Sequence, residues 1–239
     1  MVNHETHADD KKIIVALDKP DLPQALAICD RLSADLCRVK VGHELFTSAG
    51  PAAVVEVQRK GFEVFLDLKY HDIPNTVANA CRMAADLGVW MLDVHASGGS
   101  RMMESARKAI GDPGEQVPLL VAVTVLTSME QNDMQATGVN RSVDDQVLAL
   151  ATMTTDAGLD GVVCSAREAA MLTARLPSIV KVTPGIRLDN DNANDQKRIT
   201  TPKQAIQDGA THLVIGRPVT MADNPLETVQ AIAAGLVNS

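Results

Sequence analysis

A short apolar or β-branched run followed by a helical stretch recurs eight times along this chain, and that recurrence constrains its fold more than any other feature. The apolar runs are Ile13–Leu17, Leu36–Val41, Phe62–Leu68, Trp90–His95, Pro118–Val125, Gly161–Cys164, Ile179–Val182 and His212–Ile215. The helical stretches lie near Pro23–Leu32, Pro51–Lys60, Asn75–Leu87, Ser100–Ile110, Val143–Ala157, Ala166–Arg175, Pro202–Asp208 and Pro225–Leu236. Strands that alternate with helices return to the same end of a sheet after every crossover, so they pair in parallel. Eight such units in 239 residues predict a single-domain α/β fold, a (β/α)8 TIM barrel over 13–239 behind a polar segment, 1–12. An open doubly wound sheet is the alternative, but no G-x-G-x-x-G follows the first strand, which weakens a dinucleotide-binding reading.

Composition narrows the function classes. The net charge of −8 argues against a general nucleic-acid binder, which needs a broad basic surface. It leaves room for a small basic pocket that takes one phosphate. The aromatic residues are Phe46, Phe62, Phe65, Tyr70 and Trp90, too few for a surface that stacks bases in series. Cys29, Cys37, Cys81 and Cys164 form no C-x-x-C pair, and fit reduced, buried thiols in a cytoplasmic protein better than a disulfide framework or a zinc site. No apolar stretch is long enough for a membrane span, and MVNHETHADDKK lacks the apolar core of a signal peptide. No cofactor and no membrane partner are expected.

The strongest local signal is FLDLKYHDIPNT, residues 65–76. Residues two apart on a strand share a face, so Phe65, Asp67 and Lys69 point the same way, and Leu66 and Leu68 suit the helix-facing side. An Asp and a Lys directed into a barrel mouth are costly unless paired or used. Asp72 follows on the loop, and Lys40 in RVKVG brings a second cation to a neighbouring strand end. The bland reading is an ion-pair network that closes the barrel top. A Lys held between carboxylates stays protonated, which makes it a poor Schiff-base nucleophile and a good proton donor.

A second signal follows the seventh and eighth strands. TPGIR places Arg187, and VIGRP places Gly216 and Arg217, where barrels often bind phosphate through backbone amides and helix N-termini. Two long loops, Leu126–Arg141 and Pro184–Thr201, also follow strand C-termini and are expected to act as lids. Asp18 ends VALD and suits either a sugar hydroxyl or a helix N-cap. Thr127 and Ser128 suit either a polar ring edge or loop capping. His95 reads as a hydrogen-bonded structural histidine, and no metal-ligand spacing stands out.

From VALD to VIGRP the chain resembles the orotidine 5′-phosphate decarboxylase family, bacterial type, for which DLKYHDIPNT is a highly specific motif. The resemblance implies cofactor-independent decarboxylation of orotidine 5′-monophosphate to uridine 5′-monophosphate in de novo pyrimidine biosynthesis. It implies a homodimer with interface active sites, in which Asp72, Ile73 and Thr76 serve the partner's site. It implies substrate contacts from Asp18, Lys40, Asp67, Thr127, Arg187, Gln196, Gly216 and Arg217, with Lys69 as catalytic proton donor and Asp67, Asp72 and Lys40 in the catalytic charge network. One departure is Asp93, where relatives carry Asn. A sister group of magnesium-dependent sugar-phosphate enzymes shares the Asp-x-Lys-x-x-Asp pattern but carries a metal-binding Glu where this chain has Lys40. A nucleotide-phosphate sensor that has lost turnover is the non-enzyme alternative.

Overall fold

A computed structural model describes residues 11–113, 117–188 and 200–237. Its elements are, in order, β1 (Ile13–Ala16), α1 (Leu22–Cys29), β2 (Arg38–Gly42), α2 (His43–Ala49), α3 (Ala52–Arg59), β3 (Val64–Tyr70), α4 (Pro74–Asp86) and β4 (Met91–His95). They continue with α5 (Ser100–Ile110), β5 (Leu119–Val123), α6 (Gln131–Ala136), α7 (Val143–Asp156), β6 (Gly161–Val163), α8 (Ala166–Arg175) and β7 (Val180–Thr183). The chain closes with α9 (Pro202–Gln207), β8 (His212–Ile215), α10 (Arg217–Thr220) and α11 (Pro225–Val237). The eight strands form one closed parallel barrel in chain order, with β8 pairing β1. The (β/α)8 expectation holds. Most of the polar segment 1–12 lies outside the described residues.

Alternation along each strand builds two cores. On β1, Ile14 and Ala16 point into the barrel and join Phe65, Met91, Val121, Val182 and Val214. Ile13 and Val15 point outward and join the larger layer between the strands and the helices, as do Leu66 of β3 and Leu92 and Val94 of β4. The inner core is aliphatic apart from Phe65 and Met91, with Trp90 packed against it, so few rings fill the barrel. Near the amino ends of the strands the Arg38 guanidinium lies over the Trp90 ring at 3.9 Å, and the same side chain reaches Glu63 at 3.0 Å.

Helix ends follow local chemistry. Asp21 caps α1 by accepting the Gln24 amide hydrogen at 2.9 Å, with Pro23 in the first turn. Ser142 caps α7 and Thr201 caps α9 in the same way. The structure adds three short helices, α2, α6 and α10, that the eight-unit pattern does not contain. The long loop after β5 is not irregular throughout: α6 sits in it, held by a capping box between Glu130 and Asp133. Of the second long loop, residues 189–199 lie outside the described residues.

Candidate active site at the carboxyl end of the barrel

The motif strand β3 carries the charge as its alternation requires. Phe65 packs in the inner core, and Asp67 and Lys69 stand on the same face above it. The ladder to β4 then breaks register: Leu66 pairs with Leu92 but Tyr70 pairs with Val94, so four residues of β3 are matched to two of β4. This bulge re-aims the strand end. Within it Lys69 takes φ = +48°, the one left-handed non-glycine backbone among the described residues. That conformation costs a residue with a Cβ roughly 1–2 kcal/mol, and the Lys69 amide offsets part of it by donating to Asp93 Oδ1 at 2.7 Å.

Four charged side chains alternate in sign across three adjacent strands. Lys40 Nζ donates to Asp18 Oδ1 at 3.0 Å and lies 3.3 Å from Asp67 Oδ2. The other Asp67 oxygen accepts from Lys69 Nζ. The N-cap reading of Asp18 is overturned, because Asp21 caps α1 and Asp18 binds Lys40 instead. Burial alone pushes the Asp67 carboxyl up, but the Lys40 charge, the neighbouring Asp93 carboxyl and the Lys69 charge together hold it down at about 2. Burial works against the Lys40 ammonium, and the Asp67 and Asp18 carboxylates outweigh it and raise its pKa. Both groups are therefore charged near neutral pH.

The row borders a cavity of about 200 Å³. Lys40, Asp67 and Lys69 form its charged side, while Val123, Val163, Val182 and Val214 form an aliphatic side, with Thr127 on the rim. A flat polar ring laid there meets cations along one edge and aliphatic surface on its face.

The remaining sequence-predicted residues divide into three groups. Arg187 follows β7, while Gly216 and Arg217 follow β8, the adjacent strand, so both loops lie at the same barrel end. Gly216 also adjoins the charge row, since a Cβ there would come within 4.0 Å of Asp18 Oδ2. Asp72, Ile73 and Thr76 form a second group on the exposed turn into α4 and its first turn. Within the chain Asp72 turns back to accept its neighbour's amide hydrogen at 2.6 Å, and Ile73 is 66 % exposed. Gln196 lies outside the described residues. His95 packs its ring 5.5 Å from that of His71, and burial, then His71 and Lys69, lower its pKa. Among the described residues no group of three or more His, Cys, Asp or Glu could hold a metal ion.

Two contributors had no role assigned from the sequence. Gly42 is two residues beyond Lys40 on the same face, and a Cβ there would stand 2.6 Å from Lys40 Nζ. The absent side chain is the space the ammonium occupies, and the Lys-x-Gly spacing in RVKVG was its signal. Asp93 supports the Lys69 backbone, a role that depends on the bulge and so had no sequence signal.

Residues 11–232 match the family model described as Orotidine 5'-phosphate decarboxylase / HUMPS family. An orotidine 5'-phosphate decarboxylase of Actinobacillus succinogenes is 53 % identical over 230 residues, covering 96 % of this chain and 99 % of the relative. One of Pseudoalteromonas translucida is 56 % identical over 217 residues, covering 90 % and 93 %. Among solved structures, the orotidine 5'-phosphate decarboxylase of Lactobacillus acidophilus superposes with a TM-score of 0.84 at 38 % identity, covering 95 % of this chain and 99 % of that one. Fold, charge row and relatives agree, and the chain belongs to the orotidine 5'-phosphate decarboxylase / HUMPS family.

Proposed function

We infer that this protein is a carboxy-lyase that converts orotidine 5′-monophosphate to uridine 5′-monophosphate in pyrimidine biosynthesis, without a cofactor. The family and its near relatives support the reaction. The observation that carries the chemistry is Asp67, gripped between the Lys40 and Lys69 ammoniums at the edge of a largely aliphatic cavity.

Loss of carbon dioxide leaves an electron pair in the plane of the pyrimidine ring, where the ring π system cannot take it up. Stabilisation must come from charge placed beside the reacting carbon. Lys69, held by Asp67, supplies that charge and then delivers the proton that completes the product. One unit charge about 4 Å away contributes roughly 4 kcal/mol at an effective dielectric near 20. The remainder is assigned to the distant end of the substrate. The phosphate binds Arg187, Arg217 and the Gly216 backbone, the ribose binds Asp18 and Lys40, and Thr127 and Gln196 meet the base; this binding orients the reacting carbon.

Asp72 does not reach Lys69 within one chain but lies exposed beside Ile73 and Thr76 at the start of α4. This arrangement favours a homodimer in which Asp72 of the partner subunit completes the charge row at Lys69. A cytoplasmic location fits a substrate made and used by soluble enzymes. Within the same family, a magnesium-dependent sugar-phosphate reaction is disfavoured by Lys40, whose ammonium 3.3 Å from Asp67 repels a divalent cation.

The direct test is purified protein with orotidylate, with and without a chelator, followed by loss of ultraviolet absorbance. The expected result is chelator-insensitive turnover. Uridylate binding without turnover would favour a sensor, and chelator-sensitive activity would favour the magnesium enzymes.

A further inference from the structure

Asp93 is fully buried beside the charge row, and its two oxygens are treated differently by their surroundings. Oδ1 accepts the Lys69 amide hydrogen that the β3 bulge removes from the ladder. Oδ2 is enclosed with no hydrogen-bond partner among the described residues. The Asp67 carboxyl is its neighbour: Phe65 pairs with Met91 and Leu66 with Leu92, so Asp67 and Asp93 come next on the adjacent strands, and the two carboxyls interact. Two ionised carboxyls in contact in a dry site repel, so one of them keeps a proton. Asp67 has Lys40 and Lys69 as partners and keeps the charge. Among the described residues no cationic side chain bonds Asp93, and a proton on its second oxygen supplies the missing hydrogen bond.

The surroundings agree with that division. Facing Asp93 are Asp67, Lys69 and Tyr70 from β3, Cys81 from α4 and the apolar Val121 paired with it on β5. Burial pushes Tyr70 and Cys81 up to about 12, so neither adds a charge near neutral pH. Burial first, then the charge of the adjacent Asp67, raise the Asp93 carboxyl well above the usual carboxylate range.

We propose that Asp93 is a positioning residue for the reaction: as a neutral carboxylic acid it accepts the Lys69 amide hydrogen on one oxygen and donates its own proton to the Asp67 carboxylate. The arrangement fixes both ends of the Asp67–Lys69 pair from β4. It rests on the reading of Lys69 as proton donor. An ionised Asp93 would repel Asp67 and draw the Lys69 ammonium down from the cavity, so turnover falls as pH rises through its ionisation.

The test compares wild type, Asp93→Asn and Asp93→Ala by infrared spectroscopy and by pH-dependent kinetics. Asn keeps one acceptor and one donor in the same shape, whereas Ala keeps neither. At neutral pH the wild-type spectrum is expected to contain a protonated-carboxyl carbonyl band that is missing from Asp93→Asn. Asp93→Ala is expected to lose kcat by roughly tenfold or more with KM within about twofold, and Asp93→Asn to recover most of that loss. The alkaline fall in kcat is expected to move to higher pH in Asp93→Asn. Absence of the band, equal loss in Asn and Ala, or an unmoved alkaline limb would each overturn the proposal. The infrared band does not depend on turnover, so a wild type that leaves orotidylate intact overturns the assigned reaction and is read separately.

Discussion

At Asp67, burial and neighbouring charge act in opposite directions, and charge prevails because two ammoniums meet one carboxylate. The same balance keeps Lys40 protonated although it is 8 % exposed. Neither cation is free to move without stranding a buried charge, which is how a site holds charge in place before substrate arrives. Gly42 makes this geometry possible. Gly42→Ala introduces a methyl group 2.6 Å from Lys40 Nζ, so the ammonium must shift away from Asp18 and Asp67. The atom displaced is the end of a flexible side chain, but its shift weakens a buried ion pair, so the cost to stability is expected to be about 1–3 kcal/mol. Turnover is expected to fall roughly tenfold or more, since small displacements near the reacting groups are expensive. Paired thermal melts and kinetics check this, and a variant with normal turnover would show that Lys40 need not sit where it does.

Among the elements, β6 tests barrel closure as β3 tests the site. Gly161 pairs with Val180, and a Cβ there would stand 2.1 Å from the Val180 carbonyl oxygen. The obstructing atoms are the Val180 backbone and the Cβ fixed to it, so no flexible atom can yield and Gly161→Ala is expected to destabilise by about 1–3 kcal/mol or more. Denaturant unfolding measures it, and an unchanged midpoint would contradict the close β6–β7 approach. All eight strands were legible in the sequence, because period-2 alternation and β-branched runs survive any tertiary context. The site charges on β2 and β3 were legible too, since each follows from alternation along its own strand. The helices α2, α6 and α10 were not: each has seven residues or fewer, too short for an apolar stripe, and of the three only α6 carries a capping box. The bulge was also invisible, because it is a mismatch between β3 and β4 rather than a property of either. Its consequences, the left-handed Lys69 and the support from Asp93, could emerge only from the folded barrel.

For the whole molecule, a net charge of −8 does not keep cations from one end of the barrel, where Lys40 and Lys69 border the cavity and Arg187 and Arg217 follow β7 and β8. The scarcity of rings has a counterpart in the cavity, where valines form the side opposite the charges. The proposed dimer makes a quantitative prediction. If each site takes Lys69 from one chain and Asp72 from the other, then Lys69→Ala and Asp72→Asn spoil the same site when they meet in a mixed dimer, and leave its second site intact. Random mixing of the two inactive variants should then restore about a quarter of wild-type activity. No recovery after subunit exchange would contradict the shared site. The central claim, that a fixed Lys69 charge drives decarboxylation, is tested most directly by measuring orotidylate turnover and uridylate affinity in Lys69→Ala. Loss of about 4 kcal/mol of stabilisation predicts roughly a thousandfold fall in kcat or more, with uridylate binding kept within about tenfold. Near-normal turnover in that variant would contradict the account.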